Sequence, residues 1–465
     1  MQDSFDLIVI GAGPGGYLAA IRAAQLGLKT ACIDKRKEPG GTCLHVGCIP
    51  SKSLLSSSEF AWKIQEKSAV NGITFAQLLI DSMPMMTRKT QTIQSFSQGI
   101  TSLFKKHKIS FYVGEASFLS PNKVLVKNAS EIMQLQARFI LIATGSEPIE
   151  LPFLPFDEKQ ILSSTGALSL EAIPKDLLII GAGVIGVELG SVYNRLGTKV
   201  QIIEFLDQIC TGFDHQLSLE LKKNLEKQGI TFHLSSKVMN AKIAPNQISL
   251  QVEQAQNIQS FSAEKVLVSI GRRPYTQKLG LEKIGIKISP KGCIETDGVF
   301  RSNIPNVFAI GDVTEGPMLA HKASEEGVAA VEIMAGHKPQ INYMAIPNVV
   351  YTYPEMASVG LTEEEAKKHH LIPKTGSFPF KVNSRAKCTG EVEGFVKIVA
   401  EEKSERIIGV HIIGAHASEL IAEATVVIQK NLCIKDLINT PHAHPTLSEA
   451  IREAALDVEK RALHK

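Results

Sequence analysis

Cysteine is scarce. Seven residues in a chain of 465 are too few for a disulfide-stapled secreted scaffold. Charge of one sign is missing too: 50 Lys and Arg stand against 47 Asp and Glu, a formal net charge of +3. Such a balance gives no footprint for a nucleic acid or an anionic membrane partner. No apolar run approaches the roughly 18 residues that span a bilayer. The opening stretch Met1 to Asp6 is acidic and lacks the basic segment of a signal or transit peptide. These absences make a cytoplasmic protein the expectation. Low-complexity tracts and long linkers are absent as well. The remainder is 44% hydrophobic and 21% charged, which argues against a disordered or fibrous chain. At roughly 150 residues per domain, the length points to about three domains.

Two stretches repeat one another. Leu7 to Gly16 reads LIVIGAGPGG, and Leu177 to Gly186 reads LLIIGAGVIG. Each is a short apolar run, suited to a strand buried on both faces, followed by G-x-G-x-x-G. The downstream spacing keeps step: Gly16 to Gly27 and Gly186 to Gly197 are both 11 residues, and Gly27 to Asp34 and Gly197 to Glu204 are both 7. Helices fit between, and Lys29 to Ile33 and Lys199 to Ile203 suit second strands. One such glycine motif is weak evidence, but strand, helix and acid all recur, which predicts two dinucleotide sites. Gly11 and Gly181 allow the tight turn, and Gly13 and Gly183 let backbone approach a pyrophosphate at a helix N-terminus. Gly16 and Gly186 allow helix to pack on strand. Asp34 and Glu204 can accept from a ribose 2′-hydroxyl, and Glu204 would repel a 2′-phosphate, favouring NAD over NADP. Three further apolar runs end in glycine, at Gly145, Gly271 and Gly311, the last followed by Asp312. From about residue 341 the chain changes to β-rich stretches (Asn348 to Tyr353, Gly394 to Ala400) and amphipathic helical ones (Thr362 to His369, Ser418 to Lys430), a separate α+β domain.

Cys43 and Cys48 follow the first unit closely. In a reducing compartment such a pair reads as catalytic or metal-binding before structural, and a dithiol beside a flavin makes redox sense. On an ideal helix, positions i and i+5 lie about 8.7 Å apart at Cα, beyond the ~7 Å limit of a disulfide. Cys43 to Cys48 is therefore predicted not to be regular helix, with Gly47 as the irregularity. The competing readings are a zinc half-site, for which His45 is the only nearby partner, or two inert thiols.

Near the other end stand His442, His444 and, after Pro445, Thr446 to Glu449. Thr446 and Glu449 have the spacing of a capping box for the last helix, and on that view the histidines are strand-end residues. The functional alternative makes His444 a general acid/base for thiol chemistry, oriented by Glu449. A metal reading lacks a third ligand, and no metal site is expected.

Together these residues resemble the FAD-dependent pyridine nucleotide–disulfide oxidoreductases, over residues 5 to 455. The most specific pieces are Gly41 to Lys52, the two glycine motifs, Gly311-Asp312, Met318 to His321 and His442 to Glu449. The resemblance implies a glutathione-reductase-like α/β fold: two Rossmann-like dinucleotide-binding domains plus a C-terminal α+β dimerisation domain. The implied boundaries are 1–146 for the first part of the FAD domain, 147–272 for the NAD domain, 273–340 for a second FAD or central part, and 341–465 for dimerisation. It implies FAD and NAD as cofactors. Gly11, Gly13, Gly15, Gly16, Asp34, Lys35, Thr42, Lys52, Ala116, Thr144, Gly145, Gly311, Asp312, Met318, Leu319, Ala320 and His321 fall on the flavin side. Gly181, Gly183, Gly186, Glu188, Glu204, Val238 and Gly271 fall on the NAD side. Lys52 and Glu188, unremarked by residue reading alone, would form an ion pair near the flavin. The resemblance moves His444 to its catalytic role, acting on the thiols of the other subunit of a homodimer.

Within the family the match is to members that oxidise dihydrolipoyl groups carried on lipoyl domains of acyltransferase (E2) subunits of 2-oxo acid dehydrogenase complexes. The glutathione-reducing branch is similar but has Tyr at Val184 and basic residues near Glu204. Other branches add C-terminal cysteines, and none follows Cys433 here. Two departures stand out: His45 where relatives usually have Asn, and Asp34 where Glu is commoner. The alternatives are another disulfide reductase or a non-catalytic flavin- or NAD-binding redox sensor.

Overall fold

A computed structural model describes residues 4–465; Met1 to Asp3 of the acidic opening stretch lie outside the described residues. Strand Ser4–Ile10, helix Pro14–Gln25 and strand Thr30–Asp34 form the first βαβ unit. The strands run parallel, Leu7 opposite Thr30 and Ile10 opposite Ile33. Leu7, Ile8 and Val9 are fully buried, as expected of a strand covered on both faces. Burying each such side chain stabilises the fold by roughly 1.5–3 kcal/mol. The seven-stranded sheet runs Ser110–Val113, Thr30–Asp34, Ser4–Ile10, Ile132–Ile142, Lys123–Lys127, Glu115–Ser120, and Val307–Ala309 also pairs with Ile132–Ile142. The return of the chain at residues 307–309 to a sheet begun at residue 4 explains why the glycine of Gly311-Asp312 stands beside the first glycine turn.

The second unit repeats the first. Strand Asp176–Ile180, helix Val184–Arg195 and strand Lys199–Ile203 lie in a parallel five-stranded sheet with Thr231–His233, Lys265–Val268 and Ile161–Leu162. The duplication holds at the level of single bonds. Gly11 N–H donates to Ile33 O and Gly181 N–H to Ile203 O, both at 2.8 Å. Gly11 has φ +104° and Gly181 +103°, a backbone region that only glycine enters freely. A Cβ at Gly16 would lie 1.8 Å from Gly11 O, and one at Gly186 2.1 Å from Gly181 O. These glycines let helix meet strand.

The C-terminal region builds an antiparallel five-stranded sheet in the order Asn348–Val350, Glu355–Gly360, Ile407–Gly414, Phe395–Glu401, Pro373–Pro379. Helices Ala417–Gln429 and Glu449–Val458 pack on it through a core that includes Ile421, Val427, Ile451 and Leu456. The strand expected over Asn348 to Tyr353 stops at Val350. The helix expected over Thr362 to His369 is capped by Thr362, whose hydroxyl accepts from Glu365 N–H while Glu365 Oε2 accepts from Thr362 N–H. No helix among the described residues is long and apolar enough to cross a membrane.

A candidate active site between two dinucleotide cradles

A single cavity of about 1840 Å³ runs between the two glycine turns. Gly11, Gly13, Gly15, Asp34, Lys35, Thr42, Cys43, Cys48 and Lys52 line one part, and Gly181, Gly183, Glu188, Glu204, Val238 and Gly271 another. Thr144, Gly145, Gly311, Asp312 and Met318 to His321 complete the wall. Gly16 and Gly186 do not line it; they lie behind the turns as packing positions. Ala116 borders a separate small cavity, beside Asp34 and Thr144.

Both cradles suit a dinucleotide. Helices Pro14–Gln25 and Val184–Arg195 begin at Gly13 and Gly183, and neither has a side chain capping its first amides. A Cβ at Gly183 would meet nothing within 4 Å, and Gly13 and Gly183 both line the cavity, so each helix start borders space where a pyrophosphate can lie. Asp34 Oδ2 accepts from Ala12 N–H at 2.7 Å, and Glu204 Oε2 from Ala182 N–H at 2.6 Å. Their second oxygens accept from Arg36 N–H and Leu206 N–H. Asp34 therefore occupies the same place in its turn as the longer Glu204. Lys35 Nζ stands 4.5 Å over the Tyr275 ring.

The chain breaks where the disulfide geometry requires. Helix Gly41–Val46 ends at Gly47 and helix Cys48–Lys67 begins at once. A Cβ at Gly47 would lie 2.9 Å from Thr42 O, so this close approach needs glycine. The break brings the sulfurs together as free thiols, and Cys43 S–H donates to Cys48. That hydrogen bond lowers the Cys48 thiol to about 7, with burial opposing it and Lys52 assisting; the same bond, with burial, pushes Cys43 well up. Of the two, Cys48 is the sulfur whose thiolate is favoured. Tyr17, also on the cavity wall, is raised by burial and by Cys43. His45 turns away from the sulfurs, its Nε2 3.1 Å from Pro39 O.

Lys52 Nζ lies 2.9 Å from Glu188 Oε2, with Glu188 only 4% exposed. Glu188 also accepts from Ser51 Oγ and Tyr351 N–H. Burial works to lower Lys52, and Glu188 outweighs it, so the ammonium is held above its ordinary value. Residue reading alone missed Tyr17, Ser51 and Tyr351, and also Arg272, which donates to Ser146 Oγ at 2.7 Å while Ser146 Oγ donates to Asp312 Oδ2 at 2.6 Å. Nothing local marks these groups; Ser146 and Asp312 are 166 residues apart.

His444 and Glu449 lie outside this cavity. His444 Nδ1 is 2.9 Å from Glu449 Oε1, and the imidazole is 69% exposed. Burial works to raise Glu449, but the Thr446 N–H and His444 outweigh it and hold the carboxyl low. The expected capping box is corrected in part. The last helix starts at Glu449 with Ser448 at its cap, because the Thr446 hydroxyl is taken by Ala443 O and Ser448 Oγ. Only the reach of Glu449 Oε2 back to Thr446 N–H, at 2.8 Å, survives. His442 is no strand-end residue: its Nε2 pairs with Glu423 Oε1 at 2.8 Å. No group of three or more His, Cys, Asp or Glu among the described residues could hold a metal ion.

Two dinucleotide cradles joined by a dithiol define an oxidoreductase of the two-nucleotide disulfide class. Family profiles agree with that geometry. The one described as pyridine nucleotide-disulphide oxidoreductase matches residues 5–327, and its dimerisation domain matches 346–455. The chain belongs to this family. It is 47% identical to dihydrolipoyl dehydrogenase 3 of Pseudomonas aeruginosa over 100% of both chains. It is also 47% identical to the mitochondrial dihydrolipoyl dehydrogenase of Caenorhabditis elegans, over 98% of this chain and 92% of that one. Among solved structures, LpdA from Mycobacterium tuberculosis matches with a TM-score of 0.90 at 26% identity, covering 97% and 98% of the two chains.

Proposed function

We propose that the protein works as a dihydrolipoyl dehydrogenase, oxidising dihydrolipoyl groups and reducing NAD to NADH with FAD as resident cofactor. The relatives' names supply the substrate, and the observation that carries the reading is the thiol pair. A proton-donating Cys43 and an acidic Cys48 stand in one cavity with both cradles, next to the ion pair of half-buried Lys52 with buried Glu188.

FAD, when bound, accepts an electron pair from the dithiol and delivers hydride to NAD. The rest of the work falls to side chains. His444 of the partner subunit, oriented by its own Glu449, takes a proton from one substrate thiol. The substrate thiolate attacks Cys43 Sγ of the oxidised pair, and Cys48 leaves as thiolate. The imidazolium passes its proton to Cys43 Sγ as the second substrate sulfur, whose own proton is released to solvent, displaces it from the mixed disulfide and closes the lipoyl ring. The resulting pair, Cys43 thiol and Cys48 thiolate, is the state described above. Lys52, held by Glu188, lends positive charge to the thiolate. Asp34, Glu204 and the uncapped helix starts bind the nucleotides.

The family's dimerisation domain spans residues 346–455, which supports a homodimer. Lipoyl domains of E2 subunits are the proposed macromolecular partner and the cytoplasm the proposed location. An assay of NADH and NADPH, each with lipoamide and with oxidised glutathione, tests the reading. Turnover with NADH and lipoamide is expected. Preference for NADPH and glutathione, or stoichiometric reduction without turnover, contradicts it.

A further inference from the structure

Helix Ala320–Met334 carries an ion pair that the redox chemistry does not use. Lys322 and Glu326 are one helical turn apart, with side chains 1% and 4% exposed, and Lys322 Nζ is 3.2 Å from Glu326 Oε1. Two buried charges of this kind are commonly no more stabilising than apolar side chains of the same volume. Their value here lies in what else they hold.

Both charges grip the peptide units of one residue. Gly311 N–H donates to Glu326 Oε2 at 2.8 Å, and Lys322 Nζ lies 3.4 Å from Gly311 O and 3.4 Å from Glu315 O. Space for this is built in: a Cβ at Gly311 would come within 3.0 Å of Ala323 Cβ, and one at Gly316 within 3.2 Å of Lys322 Cε. The loop thus curls over the ammonium while the carboxylate closes its front. Glu326 Oε1 also accepts from the Tyr343 hydroxyl at 2.9 Å. Asp312, next in the chain, is held separately by Ser146 Oγ, which Arg272 holds in turn. The cavity wall is held at Gly311 and at Asp312 by two separate sets of side chains.

We infer that Glu326 and Lys322, with Tyr343 behind them, are positioning residues for the flavin, setting the Gly311-Asp312 turn against which it lies. The inference rests on the proposal that the chain binds FAD. Tyr343 is half exposed and precedes the dimerisation region by three residues, so the clamp also ties the cofactor wall to the segment entering that region.

The test compares FAD binding to apo-protein, read by flavin fluorescence and visible absorption, in two double variants. Lys322→Met/Glu326→Gln and Lys322→Met/Glu326→Ala both lack the ion pair, but only the first keeps an oxygen to accept from Gly311 N–H. FAD is expected to bind about tenfold more weakly to the alanine variant, the effect of one hydrogen bond at a buried amide, with a shifted flavin band. Equal dissociation constants and spectra overturn the inference. Tyr343→Phe, which keeps its ring at a half-exposed site, decides the matter if the buried variants do not fold. Its holoprotein is expected to release FAD about threefold faster, from loss of one hydrogen bond to a charged acceptor, and an unchanged rate overturns the inference. The unmutated protein is the control that separates the two claims: failure to take up FAD at all defeats the proposed function, and this inference with it.

Discussion

His444 Nδ1 and Glu449 Oε1 stand 2.9 Å apart on a surface that does not border the cavity holding Cys43 of the same chain. Under the proposed function this acid–base pair serves the thiols of the other subunit. Co-expression of a Cys43→Ser chain with a His444→Gln chain tests this. A mixed dimer then contains one site with both lesions and one with neither, so about half the activity per dimer is expected. Each homodimer should fall by roughly 10²-fold or more. A mixed dimer as inactive as its parents would place both groups in one subunit.

Cys48 is held as a thiolate chiefly by the Cys43 S–H, and its thiol is lowered to about 7. A depressed value means the charged form persists above that pH and is lost as pH falls through it. Ultraviolet thiolate absorbance of the reduced protein should rise with a midpoint near pH 7. Cys43→Ala removes the donor, and the midpoint should move upward by about one unit or more, ~1.4 kcal/mol. A midpoint that stays in place would assign the effect elsewhere.

Lys52→Met should raise that same midpoint, because its ammonium also favours the thiolate. It further leaves the buried Glu188 carboxylate with only the Ser51 and Tyr351 donors. Thermal unfolding should show a loss of about 3 kcal/mol. Unchanged stability together with an unchanged midpoint would deny the pair a role.

Lys397 Nζ lies 2.7 Å from Asp214 Oδ2, with side chains 5% and 0% exposed. This pair joins the C-terminal sheet to the helix His215–Lys227, which Asp214 caps through Gln216 N–H. Lys397→Met strands a buried carboxylate and should cost about 3–5 kcal/mol in denaturant unfolding. A loss below about 1 kcal/mol would mean the charges are solvated.

The glycine turns, their acids and the redox cysteines were legible because each is set by spacing within some 35 residues. The break at Gly47 followed once the two cysteines were read as a redox pair, since i and i+5 sit too far apart on a regular helix for a disulfide. The clamps were not legible. Lys322, Glu326 and Ser146 look like ordinary helix and loop residues until strand Val307–Ala309 returns to the first sheet and sets Gly311 beside them. Arg272 and Asp214 act across elements that only the tertiary fold brings together. The Thr446 capping box failed for a local reason: its hydroxyl had nearer partners in Ala443 and Ser448.

The relay of an electron pair from dithiol through FAD to NAD is tested most directly by the absorption spectrum of the purified holoprotein during anaerobic addition of NADH. A yellow protein that gains a long-wavelength thiolate–flavin band is expected, and Cys48→Ser should lose that band while keeping its flavin. A colourless protein, or a band that persists in Cys48→Ser, contradicts the account.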